Sequence, residues 1–196
     1  MKNSIALLTF IAALWMAAPE IAQAQKKSDT KSDSHWLVKP GQVGLITKDM
    51  SIRELIELLP EKQIEKVKGK GEFVGDEYDD YKIFDYKATH LLTITPEKNA
   101  DLASKIQSIQ IIDPRFKIEE GIGINSTHAE LKAKLLVINY TPDTENIQIN
   151  LKGNGTRFSI AKSELKEGWW DEDKMEIDRS KIPASAKITG FVIDWR

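Results

Sequence analysis

GIGINSTHAEL, residues 121–131, restates in outline GLITKDMSIREL, residues 44–55. Gly44-Leu45-Ile46 followed by Ser51-x-x-Glu54-Leu55 is echoed by Gly123-Ile124-Asn125 followed by Thr127-x-x-Glu130-Leu131, across a shorter loop. In both, a hydroxyl can accept from the amide three residues on while the glutamate reaches back to the capping residue's own amide, the mark of a helix start. After Ser51 the apolar residues Ile52, Leu55, Ile56 and Leu59 recur at helical spacing until Pro60 stops the run. After Thr127, Leu131, Leu135 and Leu136 line one side.

Strand-like runs surround both helices. Residues 43–46 are a short apolar candidate, and from Lys68 onward Gly69, Gly71 and Gly75 punctuate the chain. Tyr81, Ile83 and Tyr86, then Leu91, Thr93 and Thr95, favour strands. Ile106, Ile109, Ile111 and Ile112 continue in that manner until Asp113-Pro114 breaks it. Residues 136–140, 147–151, 157–160 and 188–195 are also strand-like, separated by turn signals such as Pro142-Asp143 and Gly153-Asn154-Gly155. Each half reads strand, helix, several strands; a structural repeat and a chance recurrence of two common motifs both fit. The expected class is α+β, a mostly antiparallel sheet carrying two short capped helices. One domain is expected over residues 36–196, divisible into halves 36–112 and 113–196.

The first residues speak to location. Lys2 and Asn3 give a short basic start, residues 5–18 an apolar run, and Ala22-Gln23-Ala24 a small-residue cleavage site. Residues 1–24 are thus expected to be a secretory signal peptide, since the run falls short of the ~20 residues of a spanning helix. Residues 25–35 include KKSDTKSDS, charged and without an apolar side chain, and read as a flexible leader. The net charge of −2 implies neither nucleic acid nor anionic membrane as a partner. With no cysteine the chain has no disulfide framework, thiolate metal site, cysteine nucleophile or lipid-bearing N-terminal cysteine. Export without disulfides suits a bacterial periplasmic or secreted protein.

Candidate chemistry is sparse. His35, His90 and His128 lack ligand spacing and read as ordinary side chains, so neither a metal nor a cofactor is expected. Residues 76–80, DEYDD, end a Gly-bounded stretch and read as a solvated hairpin tip rather than a calcium loop, whose alternating ligands are missing. Sequons at Asn125, Asn139 and Asn154 matter only in a glycosylating host. Gly121-Ile122-Gly123 carries only part of a dinucleotide fingerprint, and no nucleophile elbow, Walker loop or zincin helix occurs. The segment to watch is Gly168-Trp169-Trp170-Asp171. On an extended backbone Trp169 and Trp170 point to opposite faces, so one can be exposed beside Asp171 to stack on a sugar or anchor a partner. Alternatively, either ring seals the edge of the sheet. Trp36 and Trp195 read as core.

The order strand, capped helix, several strands, twice over, resembles in organisation the tandem-repeat beta-lactamase inhibitor proteins. More locally, QSIQIIDPRFKIEEGIGI over residues 107–124, Asn125-Ser126-Thr127-x-x-Glu130-Leu131 after it, and Ile193-Asp194-Trp195-Arg196 look like a pattern in small uncharacterised bacterial envelope proteins related to the sigma-E-regulated lipoproteins. The chain departs from the lipoproteins in lacking the lipid-bearing cysteine, and the resemblance carries over no catalytic residue. The expected function is an exported, non-enzymatic binding or inhibitory module with a protein partner in the envelope, Trp169, Trp170 and Asp171 forming its site. The alternative is a small carbohydrate-binding protein or hydrolase that joins residues 76–80 to the Trp169/Trp170 loop. Ligand and oligomeric state are not legible.

Overall fold

A computed structural model describes residues 34–70, 77–152 and 155–195. The expected signal peptide, most of the leader, Asp76 and Asn154 lie outside the described residues. Three short strands come first, β1 (Leu37–Lys39), β2 (Gln42–Val43) and β3 (Ile46–Thr47), followed by helix α1 (Ile52–Leu58). Four longer strands follow: β4 (Ile64–Lys70), β5 (Glu77–Phe84), β6 (His90–Pro96) and β7 (Ile106–Ile111). After β8 (Lys117–Ile118) and helix α2 (His128–Lys134) come β9 (Val137–Pro142), β10 (Asn146–Leu151) and β11 (Thr156–Ala161). A small hairpin of β12 (Trp170–Asp171) and β13 (Glu176–Ile177) precedes the last strand, β14 (Gly190–Asp194).

This architecture corrects the expected α+β class. Among the described residues strand occupies 43% against 17% for helix, 3-10 turns included, and the body is one eight-stranded antiparallel sheet in the order β4-β5-β6-β7-β14-β11-β10-β9. Helix is scarce because both helices end after about two turns. Leu59, at the C-terminus of α1, precedes Pro60 and is extended, as a residue before proline prefers. α2 turns extended at Leu135, where the Leu135-Leu136-Val137 run enters a strand. Segments this short hold no helix on their own; packing against the sheet sustains them. Of the expected apolar side of α2, Leu131 is fully buried on the helix, while Leu135 is half-buried at its C-cap and Leu136, beyond it, is 72% exposed. The single strand expected over 43–46 is instead two strands, because Gly44 turns the chain at φ +56, where a Cβ would meet the His35 carbonyl at 2.7 Å.

The two halves of the sheet are built alike. Ser51 accepts from the Glu54 amide at 3.2 Å and Thr127 from Glu130 at 3.2 Å, while each glutamate accepts from its cap's amide at 2.7 Å. The first amides of α1 then donate to Ser104 and Leu102, just before β7; those of α2 donate to Ala186 and Ala184, just before β14. Single bridges, Ser51 with Lys105 and Thr127 with Lys187, complete the correspondence. β7 and β14 meet at the centre, Ile111 opposite Phe191 and Ile109 opposite Ile193.

Alternation along each strand separates the faces. One row crosses all eight strands as Ile64, Ile83, Leu92, Ile111, Phe191, Phe158, Ile149 and Tyr140. It forms the spine of the core, joined by Ile52, Leu55 and Leu131 from the helices. The neighbouring row, on the other face, reads Glu65, Lys82, Thr93, Gln110, Val192, Arg157, Asn150 and Asn139, almost wholly polar. Among the described residues no helix is long and apolar enough to cross a membrane.

Candidate functional site

The connection from β11 to β14, residues 162–189, contains the Trp169-Trp170 segment. It leaves β11 through a 3-10 turn at Lys162–Glu164 and forms the β12–β13 hairpin. It tightens again at Arg179–Lys181, where Asp178 caps the turn by accepting from the Ser180 amide. Trp170 stands opposite Ile177, and the Asp178 amide donates to the Trp169 carbonyl, fixing the hairpin beside the sheet's outer strand β9.

Trp169 and Trp170 are both half-buried, with ring centres 6.0 Å apart and planes at 51°. Lys162 Nζ sits 5.1 Å from the Trp169 ring, a cation–π contact. Asp171 is occupied with its own turn: its carboxylate holds Lys174 Nζ at 2.8 Å and accepts from the Lys174 amide. The lysine's hydrogen bond keeps the Asp171 carboxyl below the usual carboxylate range. Of the three expected site residues, Trp170 lines a cleft. Tyr140, Thr141 and Pro142 of β9 form one wall, and Trp170, Met175, Glu176, Ile177 and Arg179 form the rest, around a volume of about 260 Å³.

Tyr140 is the most firmly placed of these side chains. Its hydroxyl lies 2.8 Å from Nε2 of His128, the first residue of α2, and the rings meet edge to face at 81°. His128 is buried, and its ring also hydrogen-bonds the Pro183 carbonyl, which leaves Nε2 as acceptor for the Tyr140 hydroxyl. Burial, reinforced by the positive charge of Lys132, pushes the His128 pKa down and keeps the ring neutral. Over the Tyr140 ring lies the Arg179 guanidinium, 5.1 Å from the centroid. At the hairpin tip Met175 is 72% exposed and adopts φ +53, a left-handed conformation that costs a non-glycine residue about 1–2 kcal/mol.

The acidic segment turns out otherwise than expected. Glu77, Tyr78, Asp79 and Asp80 belong to β5 rather than to a solvated tip. Asp79 shares the core face with Tyr81 and Ile83 and is 1% exposed. Lys66 and Lys68 reach it from β4 at 2.8 Å each, and the Ala100 amide donates to it at 3.0 Å. Those hydrogen bonds hold its carboxyl far below the usual range. Asp80 points to the opposite face and accepts from the Thr95 hydroxyl at 2.6 Å. Six strand intervals separate β5 from β9, about 29 Å at the usual spacing, so residues 77–80 and the tryptophan loop line no common pocket. Among the described residues no three His, Cys, Asp or Glu side chains converge as metal ligands.

No protein-family model and no curated protein sequence matches the chain. The fold, however, is similar to the crystal structure of the uncharacterized protein yfeY from Escherichia coli. The superposition has a TM-score of 0.55 at 14% identity and covers 80% of this chain and 98% of that one. At that identity the likeness is one of fold and assigns no residue a role. Tyr140, His128, Met175 and Arg179 thus stand on geometry alone. The sequence held one signal for them: His128 follows its cap just as Ile52 follows Ser51, at the first helical position facing the core.

Proposed function

We propose that the chain is an exported, non-enzymatic binding module of the bacterial envelope, periplasmic or secreted, which docks a protein partner at the cleft between β9 and the β12–β13 hairpin. The observation that carries this reading is the grouping of Trp170, Tyr140 and Arg179 around one concavity beside an exposed methionine. Tryptophan, tyrosine and arginine dominate the energetics of protein interfaces because they combine large contact area with polar ends. A methionine adapts to an irregular partner surface. Backbone strain held at Met175 fits a residue kept for what it touches. The signal-like N-terminus supports the envelope as the place of action.

A photo-reactive residue at position 175, activated in intact cells, tests the reading. A discrete protein adduct is expected, lost in Trp170→Ala and retained in Trp169→Phe, with circular dichroism confirming that each variant is folded. Absence of any adduct in the parent overturns the proposal. Retention of the chain on an immobilised glycan, abolished by Trp170→Ala, would replace it with the carbohydrate reading.

A further inference from the structure

Resting on that reading, we propose that the cleft recognises the C-terminal carboxylate of a partner chain ending in an apolar residue, with Arg179 as the anion-binding group. Arg115 has its guanidinium taken up by Asp113 and Asp85. Among the described residues no carboxylate pairs with Arg179. Its head lies instead over Tyr140, a contact that satisfies no N–H donor, and the side chain lines the cleft. His128 holds the Tyr140 ring in place at 2.8 Å from within the core, and the Asp178-capped turn sets the backbone from which the exposed Arg179 projects over that ring. A planar guanidinium with its donors free matches the two oxygens of a carboxylate.

The nearby acids leave room for one anion. Asp171 is neutralised by Lys174, and Asp178 is engaged by the amide and hydroxyl of Ser180. Glu176 remains on the cleft wall, where it can accept a peptide N–H and disfavours a second acid in the ligand. Trp170, Ile177, Met175 and Pro142 supply apolar walls. About 260 Å³ is the space of some eight or nine waters, enough for one apolar side chain with the carboxylate next to it. A terminal residue brings both groups with backbone on one side only. An internal glutamate or aspartate would need room for chain in both directions between β9 and β13, which lie too close for a full strand between them.

The test uses the chain without residues 1–24 and three peptides: acetyl-Ala-Ala-Leu with a free carboxylate, the same peptide amidated, and amidated acetyl-Ala-Glu-Leu with its only carboxylate on a side chain. Binding is read by tryptophan fluorescence and by calorimetry. The free acid should bind saturably, and the two amides about 10–100-fold more weakly, the loss expected for a charge-assisted pair. Arg179→Gln should remove that preference without lowering the melting temperature, and Arg179→Lys should restore it only in part. Equal binding of acid and amide, failure of the acid to bind, or an unchanged preference in Arg179→Gln overturns the proposal. Equal binding of the side-chain carboxylate overturns the terminal assignment. If the cross-linked adduct at position 175 persists undiminished in Arg179→Gln, docking stands and carboxylate recognition falls; if the parent forms none, docking itself has failed.

Discussion

Strands β4 to β7 and strands β9, β10, β11 and β14 are two copies of one plan, and they differ most just before their last strand. In the first half that connection is residues 97–105, which only turn and pass beneath α1; in the second it is residues 162–189 and carries the hairpin, both tryptophans and Arg179. The outer strands differ in kind as well. β4 presents Lys66 and Lys68 to a buried aspartate, while β9 presents Tyr140 to a buried histidine and an arginine. Lysines along an edge discourage further strand pairing. The first half therefore closes its end of the sheet with charge, and the second covers its end with an insertion that creates a cleft. Framework is what the halves share, and the candidate site lies in what only one of them has.

If the shared framework is a single cooperative body, the seam between the halves should be its most sensitive point. Phe191 is fully buried, opposite Ile111 and 4.6 Å from Phe158, so Phe191→Ala should cost about 3–5 kcal/mol. Urea unfolding followed by fluorescence and by circular dichroism should still give coincident transitions, shifted together. Separate transitions would mean that the halves fold independently and would break the comparison.

Asp79→Asn probes the end closed by charge. Two ion pairs are lost while an oxygen remains for the Ala100 amide, and because both lysines are half-exposed the cost should be about 1–3 kcal/mol. The sign of the pH dependence follows from the lowered folded-state pKa. The stabilisation is present above the unfolded value near 3.8 and is lost as pH falls below it toward the folded value. The gap between parent and variant should therefore be full at neutral pH and narrow progressively as pH falls below about 4. A gap that stays constant across that range would show that Asp79 acts through shape rather than charge.

The two capping boxes offer a direct comparison of like with like. Ser51→Ala and Thr127→Ala should each cost about 1 kcal/mol, and the double variant should be additive within about 0.5 kcal/mol, since the caps share no partner. A much larger loss at Thr127 would show that the second cap also supports the cleft, through His128 directly after it. Local signals of this kind were the most legible part of the fold. Caps depend on residues three apart and strands on alternation, and both are written in adjacent positions. The class is less legible, because local signals mark a two-turn helix as strongly as a long strand and do not show that the strands pair into one sheet. The pairing of β7 with β14 joins residues about 80 positions apart, beyond any local pattern. Asp79 is hidden by its neighbours, since four carboxylates within residues 76–80 suggest a solvated segment. Its alternation with Tyr81 and Ile83 already placed it on the core face. The cleft was the least legible, because β9, α2 and the insertion contribute one side chain or a few each and meet only once the sheet is complete.

Met175→Gly should have the smallest effect on stability and separates framework from function most sharply. Met175 holds φ +53 at the hairpin tip, and glycine adopts that conformation without the side-chain penalty of about 1–2 kcal/mol. Part of the relief is offset by the extra freedom glycine gives the unfolded chain, about 0.5–1 kcal/mol, which leaves a net gain between zero and about 1.5 kcal/mol. Because the methionine is 72% exposed, its removal takes little from the core. A framework residue weakens the fold when it is truncated. A residue retained for contact should instead leave the fold as stable or more so while weakening the partner. The measurement is a pair of numbers on one variant, the urea midpoint and the affinity for the free-acid peptide. A lower midpoint with unchanged affinity would return the hairpin tip to the framework and remove the distinction between the two ends of the sheet.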